Sequence, residues 1–229
     1  MKKILLPLVA IVLFAMNISA QKQFTGIVKS QVRIEGENID ASIKSQFPMM
    51  QETKVLDSKT RMDINQGGIG ITIITDTEKG KIYQIFDFSV AAMGVYYLEK
   101  NIAHEKTNFD YKYDKNDKKT VAGIECYKVT CTVTDLETDE TEEIIMYISD
   151  SFLPDYKDPQ FDGLKGFPLY TKMKKKILDS DCFMITEITE IKADKKIKPV
   201  NFLLPSNAVP ADQAPDEIKA MLLGSDDDE

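Results

Sequence analysis

The sequence predicts a mainly β protein. Its architecture is one curved antiparallel sheet, a half-barrel of about ten or eleven strands, with a helix against the concave face. Three observations carry this. Residues 24–34 alternate with a period of two over an unusual length. Strand-like runs then recur about every ten residues, punctuated by Gly and Asp. Helical periodicity is confined to one early and one late segment. Long strands with one polar face must cover the other, and curvature around an inner face does so within one layer.

The chain opens with Lys2 and Lys3, an apolar run from Ile4 to Met16, and Ser19-Ala20. A basic head, a short apolar stretch and small residues at a cleavage point make a secretory signal peptide over residues 1–20. The apolar run is shorter than the roughly 20 residues a bilayer crossing needs, so no stable transmembrane span is expected. No Cys stands at the cleavage point for lipid attachment. The expectation is a protein secreted across the inner membrane and periplasmic. Losing Lys2 and Lys3 takes the net charge from −8 to −10. That balance offers no footprint for nucleic acid and disfavours anionic membrane surfaces. Residues 21–210 form one domain. Residues 211–229 form a short amphipathic segment and an acidic, disordered tail.

In the first strand Phe24, Gly26, Val28, Ser30, Val32 and Ile34 share one parity, and mostly polar residues hold the other. Asn38 or Asp40 then caps a short helix with Ile39, Ile43 and Phe47 at four-residue spacing, ended by Pro48. A meander follows. Thr53–Leu56 and Thr60–Asn65 turn at Asp57-Ser58-Lys59, then come Ile69–Thr75 and Lys81–Phe86. Phe88–Leu98 is ambiguous: Val90 to Met93 suit a helical turn, and Val95 to Leu98 suit a strand.

Asn108–Tyr113 alternates again, and Asp114–Lys119 reads as a polar loop. Gly123–Val133 and Thr141–Ser149 make a hairpin across Asp135–Asp139. Residues 150–166, with two prolines and two glycines, form a loop before a last hairpin of Phe167–Lys174 and Ile177–Lys192. Pro168 lacks a donor, so its strand should begin there or lie at an edge. Phe202 to Pro205 form a terminal apolar cluster, and Asp216–Leu223 is the late amphipathic segment.

Three stretches carry a resemblance. They are the leader running into the long first strand, Val121-Ala122-Gly123-Ile124-Glu125-Cys126-Tyr127-Lys128, and Gly163-Leu164-Lys165-Gly166-Phe167-Pro168-Leu169. Together they resemble the DUF4412 family of exported Bacteroidetes proteins, related to the LolA-like lipoprotein-carrier superfamily. The resemblance implies a half-barrel with a helix in its concavity and a periplasmic or surface-facing location. It brings no catalytic residues.

Chemistry is sparsely represented. His104 is the single histidine, so a multi-histidine zinc site within one chain is excluded. Gly-x-Ser-x-Gly and phosphate-cradling loops are missing. The acids of residues 135–143 lack calcium-loop spacing. The reading is of a non-enzyme with no cofactor and no metal. Cys126, Cys131 and Cys182 are either three buried thiols or one disulfide with a thiol left over. Cys126 and Cys131, five apart on one strand, point to opposite faces.

Flexible thioethers and aromatic rings suit surfaces that accept varied apolar ligands. Phe47, Met49, Met50, Phe86, Met93, Phe109, Met146, Met173 and Phe183 are therefore the candidate lining of an apolar groove. The competing reading of the same residues is a filled core. Two functions follow. One is binding of a lipid or other hydrophobic small molecule. The alternative is a non-catalytic interaction or structural role with a cell-envelope protein as partner.

Overall fold

β1 (Thr25–Glu35) organises the sheet. It pairs antiparallel with β2 (Met49–Leu56) on one side and β11 (Ser180–Ala193) on the other. The computed structural model describes residues 24–223 except 38, 67–68, 103–105, 154–157, 159 and 178–179. The leader, His104 and the acidic end lie outside the described residues. The intervening strands are β3 (Lys59–Gln66), β4 (Ile69–Asp76), β5 (Lys81–Asp87), β6 (Val95–Asn101), β7 (Thr107–Val121), β8 (Ile124–Asp135), β9 (Thr141–Ser149) and β10 (Phe167–Ile177). With β12 (Ala208–Pro210) they form a single open sheet in the order β12-β6-β5-β4-β3-β2-β1-β11-β10-β9-β8-β7.

The pairing registers propagate side-chain parity from strand to strand, because directly opposed residues share a face. One face, here the helix face, carries Val28, Val32, Val55, Met146 and Val129. Helix α1 (Ala41–Lys44) packs on it. The Asp40 side chain accepts from the Ser42 N–H at 2.7 Å, capping that single turn. Ile39 and Ile43 are buried against Cys182, with Ile34 and Phe47 beside them. Further along, Phe161 and Leu164 of the 150–166 loop cover Val129, Cys131, Ile144, Met146 and Ile148. Tyr111 Oη donates to the Asp162 carbonyl at 2.8 Å, and the Lys165 N–H donates to Tyr113 Oη, tying the loop down. Helix α2 (Asp216–Leu223) places Ile218 and Leu222 over Phe86, Phe88, Tyr96 and Ile69.

The opposite face carries cross-strand ion pairs: Lys29–Glu190, Arg33–Glu187, Lys59–Asp76 and Lys81–Glu99. Asp76 is buried, but the other three pairs are partly or fully exposed, and exposed pairs contribute about 0–1 kcal/mol each, so these fix register and solubility more than stability. Part of this face, between β1 and β6, is covered by a strap, residues 194–207. Its Ile197, Phe202 and Leu204 pack on Ile74, Ile85, Val95, Leu56 and Ile27. Ile27, the apolar exception to the first strand's polar parity, thus sits under the strap.

Several expectations are corrected. Among the described residues the strands number twelve, because β12 adds three residues that pair parallel with β6. So short a strand ending in Pro210 has no periodic signal. Residues 114–119 are part of β7, not a loop. The strand continues through a register shift between Asp114 and Lys118, where Asp114 Oδ1 accepts from the N–H groups of Asn116 and Asp117. A bulge of this kind accommodates a polar run at a sheet edge. Pro168 does begin a strand, but β10 is central. A second irregularity, between Pro168 and Tyr170, absorbs the missing donor. The ambiguous 88–98 segment divides into a 3₁₀ turn at Ser89–Ala91 followed by β6.

Candidate functional site

The nine groove candidates are distributed, not gathered. Phe109, Met146 and Met173 lie together in the cluster under Phe161. Phe86 lies apart from them under α2, and Phe47 beside α1. Met49 pairs with Val32, so it shares the helix face, and is 38% exposed. Met50 pairs with Gln31 on the opposite face and is 60% exposed. Phe183, 42% exposed, also lies on the ion-pair face, where Lys172 Nζ stands 4.4 Å from its ring centroid. Met93 is in the turn that follows the 3₁₀ segment, after Ala92 at φ 56°. The structure thus brings three of the nine into one packed cluster and puts two on the far side of the sheet.

Sequence reasoning did not single out a different set. Met62 and Ile64 of β3, Ile71 and Ile73 of β4, Ile82 of β5 and Leu98 of β6 are half-buried, and none joins a buried cluster among the described residues. The register places them on the helix face. Met62 is opposite Ile73, Ile64 opposite Ile71, and Gln84 lies between Ile73 and Leu98. The Ile69–Phe86 edge of the α2 cluster borders the patch. Here α2 covers the margin at Ile69 and Phe86, while α1 lies away from the patch, over Ile34 of β1 and Cys182 of β11. The signal was present in β4: Ile69, Ile71 and Ile73 share one parity, and Ile74 holds the other. Both faces of that strand are apolar, but of its isoleucines only Ile74 is buried, under the strap.

A cavity of about 430 Å³ opens on the ion-pair face beside the strap, lined among others by Arg61, Asp63, Thr72, Asp87, Ser89 and Asn207. Its charges are internally satisfied. Arg61 donates to Asp63 and to the Asn201 carbonyl, and Lys54 and Thr72 also donate to Asp63. Burial alone would raise the Asp63 carboxyl. The hydrogen bonds from Arg61, Thr72 and Lys54 outweigh it and bring the carboxyl down to about 2. Ser89 likewise holds Asp87 below the usual carboxylate range. Because the folded-state pKa of Asp63 is depressed, its contribution is fully present above the unfolded value and fades as pH falls through about 2. Asp63→Asn should therefore reduce stability at neutral pH and flatten the acid loss between about pH 4 and 2. Urea midpoints across that window read it out.

The three thiols are free, buried and in three separate clusters, around Val28, Val129 and Ile43 respectively. Their separation removes the one-disulfide alternative. Burial pushes both Cys126 and Cys131 up to about 11. Native protein should therefore resist thiol reagents at neutral pH and titrate three thiols once unfolded, measured by absorbance with an aromatic disulfide reagent. Among the described residues no group of His, Cys, Asp and Glu is placed to hold a metal ion, and no helix is long and apolar enough to cross a membrane. No protein-family model matches the chain, and no curated protein matches it.

Proposed function

We propose that this chain is an exported, non-catalytic protein that binds a lipid or other hydrophobic ligand on the helix face of its curved sheet. One observation supports the reading above the rest. Six apolar side chains, from Met62 to Leu98, share one face of four adjacent strands beside α2 and join no buried cluster among the described residues. A contiguous apolar area of that kind marks an interaction site in a folded protein. Its chemistry is apolar and undirected. Thr53, Thr75, Gln84 and Lys100 are among the polar side chains on the same face, and the six apolar members between them suit an acyl chain. The cavity on the other face is a weaker candidate, because its carboxylates already hold Arg61, Lys54 and Ser89.

The experiment is native mass spectrometry of protein purified from its own host, followed by organic extraction. Co-purifying acyl lipid at near-stoichiometric amount supports carriage. Ligand-free protein that also fails to take up an added fatty acid contradicts it.

A further inference from the structure

The outer edge of β7 combines length, alternating charge and a self-matching pattern. Among the described residues β7 is one end of the sheet, and its Thr107–Asp114 portion pairs in regular register with β8 on one side only. Edge strands present unpaired N–H and C=O groups and are usually blunted by lysines, proline or bulges. In β7 the bulge comes only after Asp114, and the regular portion contains no proline. Its charges are of both signs. Asp110 and Lys112 are exposed, face Thr132 and Thr130 of β8, and make no ion pair among the described residues. Most of their charged neighbours are paired, including Lys115 with Asp150, Lys118 with Glu125 and Lys119 with Glu187.

We propose that this edge pairs antiparallel with the same edge of a second copy, about a two-fold axis through Tyr111. Opposed residues in a continuous sheet must share a face, so the axis has to pass through a residue and not between two. With the axis at Tyr111, Asp110 of each copy meets Lys112 of the other, twice. On the opposite face Phe109 meets Tyr113, which extends the existing ring ladder of Phe109, Tyr111 and Tyr113 across the join. Moving the axis one residue either way breaks the match. At Asp110 it sets Asp110 against itself. At Lys112 it sets Lys112 against itself and Asp110 against Asp114. Like charges directly opposed destabilise a strand pair, so both neighbouring registers are disfavoured. The strand pair is a small interface and belongs to the weak, concentration-dependent class.

Sedimentation velocity over about 10 μM to 1 mM protein tests this, with circular dichroism to confirm folding. The intact chain should form a dimer as concentration rises. Asp110→Lys and Lys112→Asp should each weaken association at least about tenfold, by placing like charges opposite. The double variant D110K/K112D restores complementarity in reversed sense and should restore the dimer. A monomer throughout the range, single variants that dimerise like the parent, or a folded double variant that stays monomeric would each overturn the proposal.

Discussion

Ile73→Asp combined with Leu98→Asp should abolish binding of an acyl chain while leaving the fold standing. Both side chains lie half-buried on the helix face, one on each side of Gln84. Each would contribute roughly 2 kcal/mol of apolar burial when a ligand covers it. A carboxylate beneath an acyl chain adds a desolvation cost to that loss. Affinity should fall by more than about 100-fold, measured by titration with a fluorescent fatty acid. Without ligand the carboxylates stay hydrated, so each substitution should cost no more than about 1 kcal/mol, the span of strand propensity. The contrast discriminates strongly. If these side chains were interior packing, two unpaired carboxylates there would unfold a domain whose whole stability is about 5–15 kcal/mol. A folded double variant that binds as the parent would place the ligand elsewhere.

Met146→Ala should be the opposite case, damaging the fold and not the patch. Met146 is 0% exposed and packs with Val129, Cys131 and Ile148 in the cluster that the 150–166 loop covers. Truncation removes a long flexible side chain from a site pinned by strands on both sides and by the Tyr111 and Tyr113 loop contacts. Limited collapse leaves a cavity, so the loss should be about 2–5 kcal/mol. Denaturant midpoints at constant slope measure it. Fatty-acid affinity of the remaining folded fraction should be unchanged, since the patch residues belong to β3–β6. A cost below about 1 kcal/mol would mean that this cluster is loosely filled.

The architecture was largely legible because a period of two survives in strands that bury one face. β1 and β9 reveal themselves by their valines, isoleucines and methionines at alternate positions, and β9 occupies the expected residues 141–149. The α1 turn was legible from Asp40 and the four-residue spacing of Ile39, Ile43 and Phe47. Legibility failed where neighbouring elements, not local pattern, decide the state. The polar 114–119 run stays extended because β8 pairs with it through a bulge, and β12 exists because β6 offers an edge. The candidate site was legible only in kind. Methionine and phenylalanine identity drew attention to Met146, which the fold fills, and to Phe183, which the fold turns to the ion-pair face. The half-buried patch consists mainly of isoleucines spread over β3, β4 and β5, and β4 is apolar on both sides. Only the strap and the two helices determine which side is sealed.

Methionine oxidation by dilute peroxide, followed by peptide mass spectrometry, tests the central claim most directly. Met62 lies in the patch, Met50 on the opposite face and Met146 in the filled cluster. In free protein Met62 and Met50 should oxidise readily while Met146 stays reduced. Adding a fatty acid should slow oxidation of Met62 and leave Met50 as it was. A Met62 as resistant as Met146 in the free protein, or protection that reaches Met50 equally, would contradict an apolar surface open on the helix face alone.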